Sequence, residues 1–211
     1  MRRLPFPLVG LSILATLLLV LACGGGDRNL VNPTEVAPQD LSGRNLRYLT
    51  LSHYDLSGKN FDRANLEYTL FLDAKARDTS FREAKMEGAD TSYADFSRAD
   101  LSGADLSRAP LHNTNFTEAR FTNAVLEQAG FTDSNLTRAT LAGADLTETY
   151  FGRAILDFAD FRNTNVTEAQ LAEATSRRCM IMPDGTRYSS SDNDSARPPG
   201  RNMRFPRGTT P

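Results

Sequence analysis

The chain has 211 residues, of which 40% are hydrophobic, with 24 Lys and Arg against 26 Asp and Glu, two cysteines and no tryptophan. That length suits one ordinary domain with tails, and a net charge of −2 excludes the strongly basic footprint of a general nucleic-acid binder. The balance is uneven: residues 41–173 carry 14 basic and 20 acidic side chains, net −6, and residues 174–211 carry seven Arg and three Asp, net +4.

Residues 1–22 read as an address. Arg2 and Arg3 precede an apolar run from Leu8 to Leu21, broken by Gly10, Ser12 and Thr16. These 14 residues are short of the ~20 needed to span a bilayer as a helix. A basic start, a short apolar run and small residues at its end describe a secretory signal. The end is Val20-Leu21-Ala22-Cys23, followed by Gly24-Gly25-Gly26. This resembles the lipobox of bacterial lipoproteins, with Val in place of the commoner Leu at its first position. The resemblance implies cleavage before Cys23 and a diacylglyceryl group on its sulfur. Two or three acyl chains at one residue give stable anchoring, where one chain is marginal. Gly24, in place of the Asp that marks inner-membrane retention, favours the outer membrane in a Gram-negative cell. Residues 23–39 then form the lipidated Cys and a tether rich in Gly and Pro.

From residue 40 the organising feature is a period of five. Stepping from Leu41 to Leu171 gives 27 positions in unbroken register, and only Ala76 and Thr91 are not large apolar residues. The position two before each of these centres is small. From Ala64 to Ala169 it is Ala at 16 of 22 sites, Thr at five and Ser134 at one. Asp and Asn favour the position between, as at Asp95, Asp100, Asp105, Asn115 and Asn135. Neither a period of 3.6 nor a period of two keeps one large and one small residue per five pointing inward. A coil that turns a corner every five residues does. Four sides close a square of 20 residues, coils stack at one strand spacing of ~4.8 Å, and each coil buries its open faces on its neighbours.

The pattern, seen as Ala99-Asp100-Leu101-Ser102-Gly103 and Ala104-Asp105-Leu106-Ser107-Arg108, resembles that of pentapeptide repeat proteins. The resemblance covers residues 40–173. It implies an all-β fold, a right-handed quadrilateral β-helix of nearly seven coils, about 33 Å long at the strand spacing. Before Ala64 the small position holds Arg44, Leu49, Tyr54 and Lys59, so the first coil reads as an irregular N-terminal cap. At the other end, Thr167 opens a good helix sequence, and a short C-terminal helix is expected to cap the last coil. Residues 174–188 read as a cap and turn segment through Met182-Pro183-Asp184-Gly185, and residues 189–211 as a disordered basic tail.

Chemistry finds little footing. His53 and His112 fall on outward turn positions of different repeats without a second ligand at metal spacing. Asp95, Asp100 and Asp105 lie on three successive faces, so they do not form a catalytic pair. No catalytic residue, cofactor or metal belongs to this reading, and an enzyme is the third-ranked alternative. Outward stacks such as Ser57, Arg77, Ser97, Thr117, Thr137 and Asp157 are not the flat Thr arrays of ice-binding solenoids. The sequons at Asn115, Asn135 and Asn165 read as products of the repeat, with Asn bonding the turn backbone. Cys179, beside Arg177 and Arg178, sits in an electropositive setting but reads as a partly buried residue of the capping segment.

The expectation is a non-enzymatic, lipid-anchored envelope protein presenting a rigid β-helix to another protein or an envelope polymer. Its membrane contact runs through lipid on Cys23, and nucleic acid is not among its expected partners. Some family members mimic duplex DNA and bind DNA gyrase, which is the alternative. The alternating arginines and a net −6 core argue against it, because DNA carries a charge every ~1.7 Å. Some relatives dimerise through their C-terminal ends, but nothing in this sequence establishes a homodimer.

Overall fold

The computed structural model describes residues 40–188. The signal segment, Cys23, the tether and the basic tail lie outside the described residues. Within them, each pentapeptide forms one side of a four-sided coil. Phe61 illustrates the unit. Its side chain is fully buried, its carbonyl accepts from Ala64 N at 3.0 Å, and Arg63 between them has φ 56°. A four-residue turn whose third residue alone is left-handed has the type II signature. The corner recurs every five residues from Gly43 to Asn163, 25 times, with φ between 54° and 72°. Only five of the 25 residues are glycine. Each of the others accepts a conformation that costs an L-residue about 1–2 kcal/mol, and the stacked coil offsets that cost.

Stacking works through two backbone ladders. Through the regular coils the N–H of the centre donates to the next coil, as Phe61 N to Ser80 O at 2.7 Å, and the corner does likewise, as Arg63 N to Arg82 O at 2.7 Å. The residue before each centre donates backward, as Asp100 N to Thr79 O at 2.9 Å. From Asp40↔Asn60 to Thr140↔Asp160 every bridge is parallel and joins residues 20 apart. The rung between Asp90 and Pro110 is missing from this series, because proline has no N–H to give.

The interior follows the period. Of the 27 centres only Leu51 is half-buried; the others are buried. Phenylalanines stack along the axis, with ring centroids 5.1 Å apart for Phe61–Phe81 and 5.5 Å for Phe131–Phe151. The small positions are buried where the coil continues. When one of the buried ones holds Thr or Ser, its hydroxyl donates to the carbonyl 23 residues earlier: Thr69 to Leu46 O, Thr79 to Leu56 O, Thr149 to Leu126 O at 2.8–2.9 Å. That bond is why a hydroxyl is tolerated where Ala is otherwise the rule. Thr91, the one polar centre, pairs its hydroxyl with Thr114 Oγ1 at 3.1 Å, and Thr114 Oγ1 in turn bonds Thr91 O at 2.7 Å.

The two ends depart from the repeat. In the first coil no layer of the described residues lies beneath the small positions, and Leu49 and Tyr54 there pack on the core.

At the other end the chain leaves the ladder after Val166 and forms α1 (Glu168–Ala172). Thr167 caps it with a capping box to Gln170. Two side-chain amides replace the lost rung. Asn165 Oδ1 accepts from Leu146 N at 2.6 Å, and Gln170 Nε2 donates to Leu146 O at 2.8 Å and Thr149 O at 2.9 Å. Ala169, on a small position of the period, is exposed in α1.

The rungs then resume one residue out of step, at Ile155↔Ser176 and Asp160↔Ile181. This places Arg177 on a centre, Cys179 on a corner with φ 52°, and buried Met180 on a small position. Finally residues 186–188 turn back antiparallel on residues 180–182, with Tyr188 N donating to Met180 O at 2.8 Å. An antiparallel return at the end of a parallel stack leaves no matching edge for another coil to extend.

Candidate interaction surfaces

Four faces result, named here by the first centre on each: face 1 from Leu41, face 2 from Leu46, face 3 from Leu51, face 4 from Leu56. On each, three residues of every five point out. The one before the centre is tied to its own turn: Asp95 Oδ1 accepts from Ser97 N, Asp100 Oδ1 from Ser102 N and Asp105 Oδ1 from Ser107 N, at 3.0–3.1 Å. As the period predicts, these three carboxylates sit on faces 4, 1 and 2 and do not meet. Asn115 and Asn135 hold their turns likewise, through Thr117 N at 3.1 Å and Thr137 N at 3.0 Å. Asn165 does not, since its Oδ1 accepts from Leu146 N.

A second layer of order runs between coils. Arginines pair with carboxylates about one coil away: Arg77 with Asp95 at 2.5 Å, Arg82 with Asp100 at 2.7 Å, Arg98 with Asp78 at 2.7 Å, Arg153 with Asp133 at 2.5 Å. Arg108 pairs with Glu87. For Asp95 and Asp100, burial pushes the carboxyl up, but donors from the turn serine and the arginine outweigh it and hold each below the ordinary value. Asp157 is the most enclosed. Its side chain is 4% exposed and accepts from Ser176 Oγ at 2.5 Å and from Arg178 N and Nε at 2.8 Å. Burial raises its pKa, and Arg178 with Ser176 more than reverse that. Exposed pairs of this kind contribute ~0–1 kcal/mol each. Their larger effect is to fix long side chains in place.

Face 2 carries an aromatic ladder at its N-terminal corner. Tyr48 and Tyr68 stack at 5.5 Å, Arg47 lies over Tyr48, and the Tyr68 ring covers Gly88, where a Cβ would fall 2.6 Å from it. Tyr68 Oη donates to Glu87, and that carboxylate's charge and bond raise the phenol's pKa. Face 3 is the least polar. Leu70, Tyr93 and Tyr150 are exposed on it. Two of its glycines let rings lie flat: a Cβ on Gly130 would fall 2.7 Å from the His112 ring, and one on Gly152 would fall 2.4 Å from Tyr150.

His112 is therefore on the outward column the sequence predicts, yet half-buried, with Nδ1 buried and without a hydrogen-bond partner. His53 is exposed, with Nδ1 3.7 Å from Asp73. Cys179 corrects the sequence expectation of a partly buried residue. It is free and exposed, because it takes a left-handed corner with no further coil of the described residues to cover it. Among the described residues no group of His, Cys, Asp and Glu is arranged to hold a metal ion.

A family model for pentapeptide repeats matches the chain with eight copies, in overlapping segments from residue 60 to residue 171. The chain belongs to the pentapeptide repeat family. Members form right-handed quadrilateral β-helices and are in general non-catalytic structural or interaction proteins. Similar solved structures include a pentapeptide repeat protein (Rfr23) from the cyanobacterium Cyanothece, 22% identical over 53% of this chain and 82% of that one, with a TM-score of 0.34. A second is a pentapeptide repeat protein from the Arabidopsis thaliana thylakoid lumen, 26% identical over 69% and 85% of the two chains, TM-score 0.33. A third is QnrB1, a plasmid-mediated fluoroquinolone resistance protein, 17% identical over 66% and 84%, TM-score 0.40. No curated protein matches the chain.

Proposed function

We propose that this pentapeptide repeat protein is a non-enzymatic, lipid-anchored component of the bacterial envelope, outer membrane in a Gram-negative cell. Its β-helix of nearly seven coils, closed by α1, presents rigid faces to another protein or an envelope polymer. The address rests on Val20-Leu21-Ala22-Cys23 behind a basic start and a 14-residue apolar run. The binding role rests on face 3, where glycines at 130 and 152 let His112 and Tyr150 lie flat beside exposed Leu70 and Tyr93. A flat, weakly polar strip held by a stiff scaffold suits recognition, since few side chains need ordering on contact.

The test is metabolic labelling with a fatty acid, with fractionation, in wild type and Cys23→Ala. Label and membrane association lost in the variant support the address. A chain unlabelled and cytosolic in both forms defeats it. A second reading, a DNA mimic acting on gyrase, is favoured by one feature, the carboxylates of the C-terminal half of face 2. They span about 15 Å, three coil spacings, and the arginine pairs neutralise much of the other faces. Inhibition of gyrase supercoiling by the purified protein would favour that reading.

A further inference from the structure

Carboxylates without an ion pair occur on every face but are densest on the C-terminal half of face 2. On the C-terminal half of face 2, Asp105, Glu127, Asp145, Glu148 and Glu168 have no ion pair among the described residues. The hydrogen-bond partners of these carboxylates are neutral. Asp105 accepts from Ser107, Asp145 from Thr147 and Asn165, Glu148 from Gln128 Nε2 at 2.8 Å. The one arginine there, Arg108, is already engaged by Glu87. Val125, 36% exposed, lies between Asp105 and Asp145 on the same column. The face is thus acidic with an apolar spot at its middle, a surface left without its counterpart.

We propose that the counterpart is the chain's own C-terminal segment, residues 195–211, docked along face 2. Three observations converge. The first is charge: residues 195–211 contain Arg197, Arg201, Arg204 and Arg207 and no acidic residue. The second is reach. Tyr188 is held to Met180, beside the Asp160 rung on face 1, one corner from face 2. Arg197 lies nine residues further, and nine residues extend up to ~30 Å. The third is spacing. Arg201, Arg204 and Arg207 recur every three residues, with Pro206 among them and Pro198 and Pro199 just before. Proline-rich sequence favours polyproline II, in which residues three apart share one edge ~9.3 Å apart. Carboxylates on alternate coils, such as Asp105 and Asp145, lie two strand spacings apart, ~9.6 Å. Arg204 and Arg207 then meet Asp105 and Asp145 in register along the rod axis, and Phe205 falls between the two arginines as Val125 falls between the two aspartates. Docked, the segment covers the acidic face of the β-helix and competes with any basic partner for it.

The experiment places the photocrosslinker p-benzoylphenylalanine at position 205 of the full-length protein in non-ionic detergent and maps the adducts by mass spectrometry. Adducts within one chain on face 2 residues around Val125 are expected. Their yield should fall about tenfold in 1 M NaCl, where the Debye length is about 3 Å. A similar fall is expected in the exposed-charge variant Glu127→Gln/Asp145→Asn/Glu148→Gln. Pairing Glu127→Lys/Glu148→Lys with Arg201→Glu/Arg204→Glu/Arg207→Glu should restore it. Adducts on other faces, on detergent, or between copies would overturn the proposal, as would a yield indifferent to salt in the wild-type chain.

Discussion

Gln170 carries the end of the ladder, and two substitutions separate its roles. Its Oε1 accepts from Thr167 N and Oγ1 at 2.8 Å, completing the capping box, while its Nε2 donates to Leu146 O and Thr149 O at 2.8 and 2.9 Å. Gln170→Ala removes all four bonds. At about 1 ± 0.5 kcal/mol net each, with partly buried carbonyls left unmet, the cost is about 2–4 kcal/mol. Gln170→Glu keeps the acceptor, and a capping box works with Glu as well as with Gln. But a carboxylate cannot donate to two carbonyls, and its charge repels them. The geometry therefore predicts that Glu fails as badly as Ala. Urea unfolding reads the difference. For a domain of this size m is about 1–3 kcal/mol/M, so the midpoint should drop by about 1–2 M in both variants. Hydrogen exchange at residues 146–150 should quicken first, because a stacked repeat opens from its ends. If Gln170→Glu matches wild type within about 0.5 kcal/mol while Ala does not, Gln170 acts through the helix cap alone and the side-chain rung is wrong.

Acid should destabilise the fold through its enclosed carboxylates. Asp95, Asp100, Asp157 and Asp160 are all held below the ordinary value: burial raises each, and donors from arginine, serine or the backbone more than reverse it. The unfolded chain therefore takes up protons first as pH falls. Stability should be flat above about pH 5 and decline through pH 4 and below as the folded carboxylates titrate. Asp157→Asn should cost about 2–3 kcal/mol at pH 7, as hydrogen bonds to a charged group do, and flatten that decline. Among corner glycines, Gly58→Ala meets open space at φ +69°, so only backbone strain of about 1–2 kcal/mol opposes it. Gly88→Ala must also lift the Tyr68 ring, 2.6 Å away. It should cost more and weaken the near-ultraviolet dichroism of the Tyr48–Tyr68 stack.

The fold was legible because the residues that carry the period are the buried ones. Centres and small positions each have one environment throughout, so selection on volume writes the same letters every five residues. The corner does not show in the same way. Tyr48, Arg63, Glu83 and Phe158 all take positive φ, and nothing in their identities announces it, because the corner is imposed by the coil and not by glycine. The resumption after α1 was hidden for the opposite reason. One inserted residue shifts the register, and Arg177 and Met180 stand where a large apolar and a small residue are expected. With no further coil above among the described residues, the positions tolerate what the interior would refuse.

What the outward columns do was much less legible, and the ion pairs show why. Arg77 meets Asp95 across 18 residues, Arg98 meets Asp78 across 20, and Arg108 meets Glu87 across 21. The offset varies because long side chains lean along the rod by different amounts, so no fixed spacing in the sequence predicts which charges cancel. Composition gave residues 41–173 a net −6 but not its distribution. The pairing neutralises most of face 4 and leaves unpaired carboxylates densest on half of face 2. His112 followed the same logic. Its column was predicted, but its half-buried ring depends on Gly130 lying one coil further on, a neighbour 18 residues away. In a solenoid the core is written locally and the surface is written between coils. A reading from sequence reaches the scaffold before it reaches what the scaffold holds out to a partner.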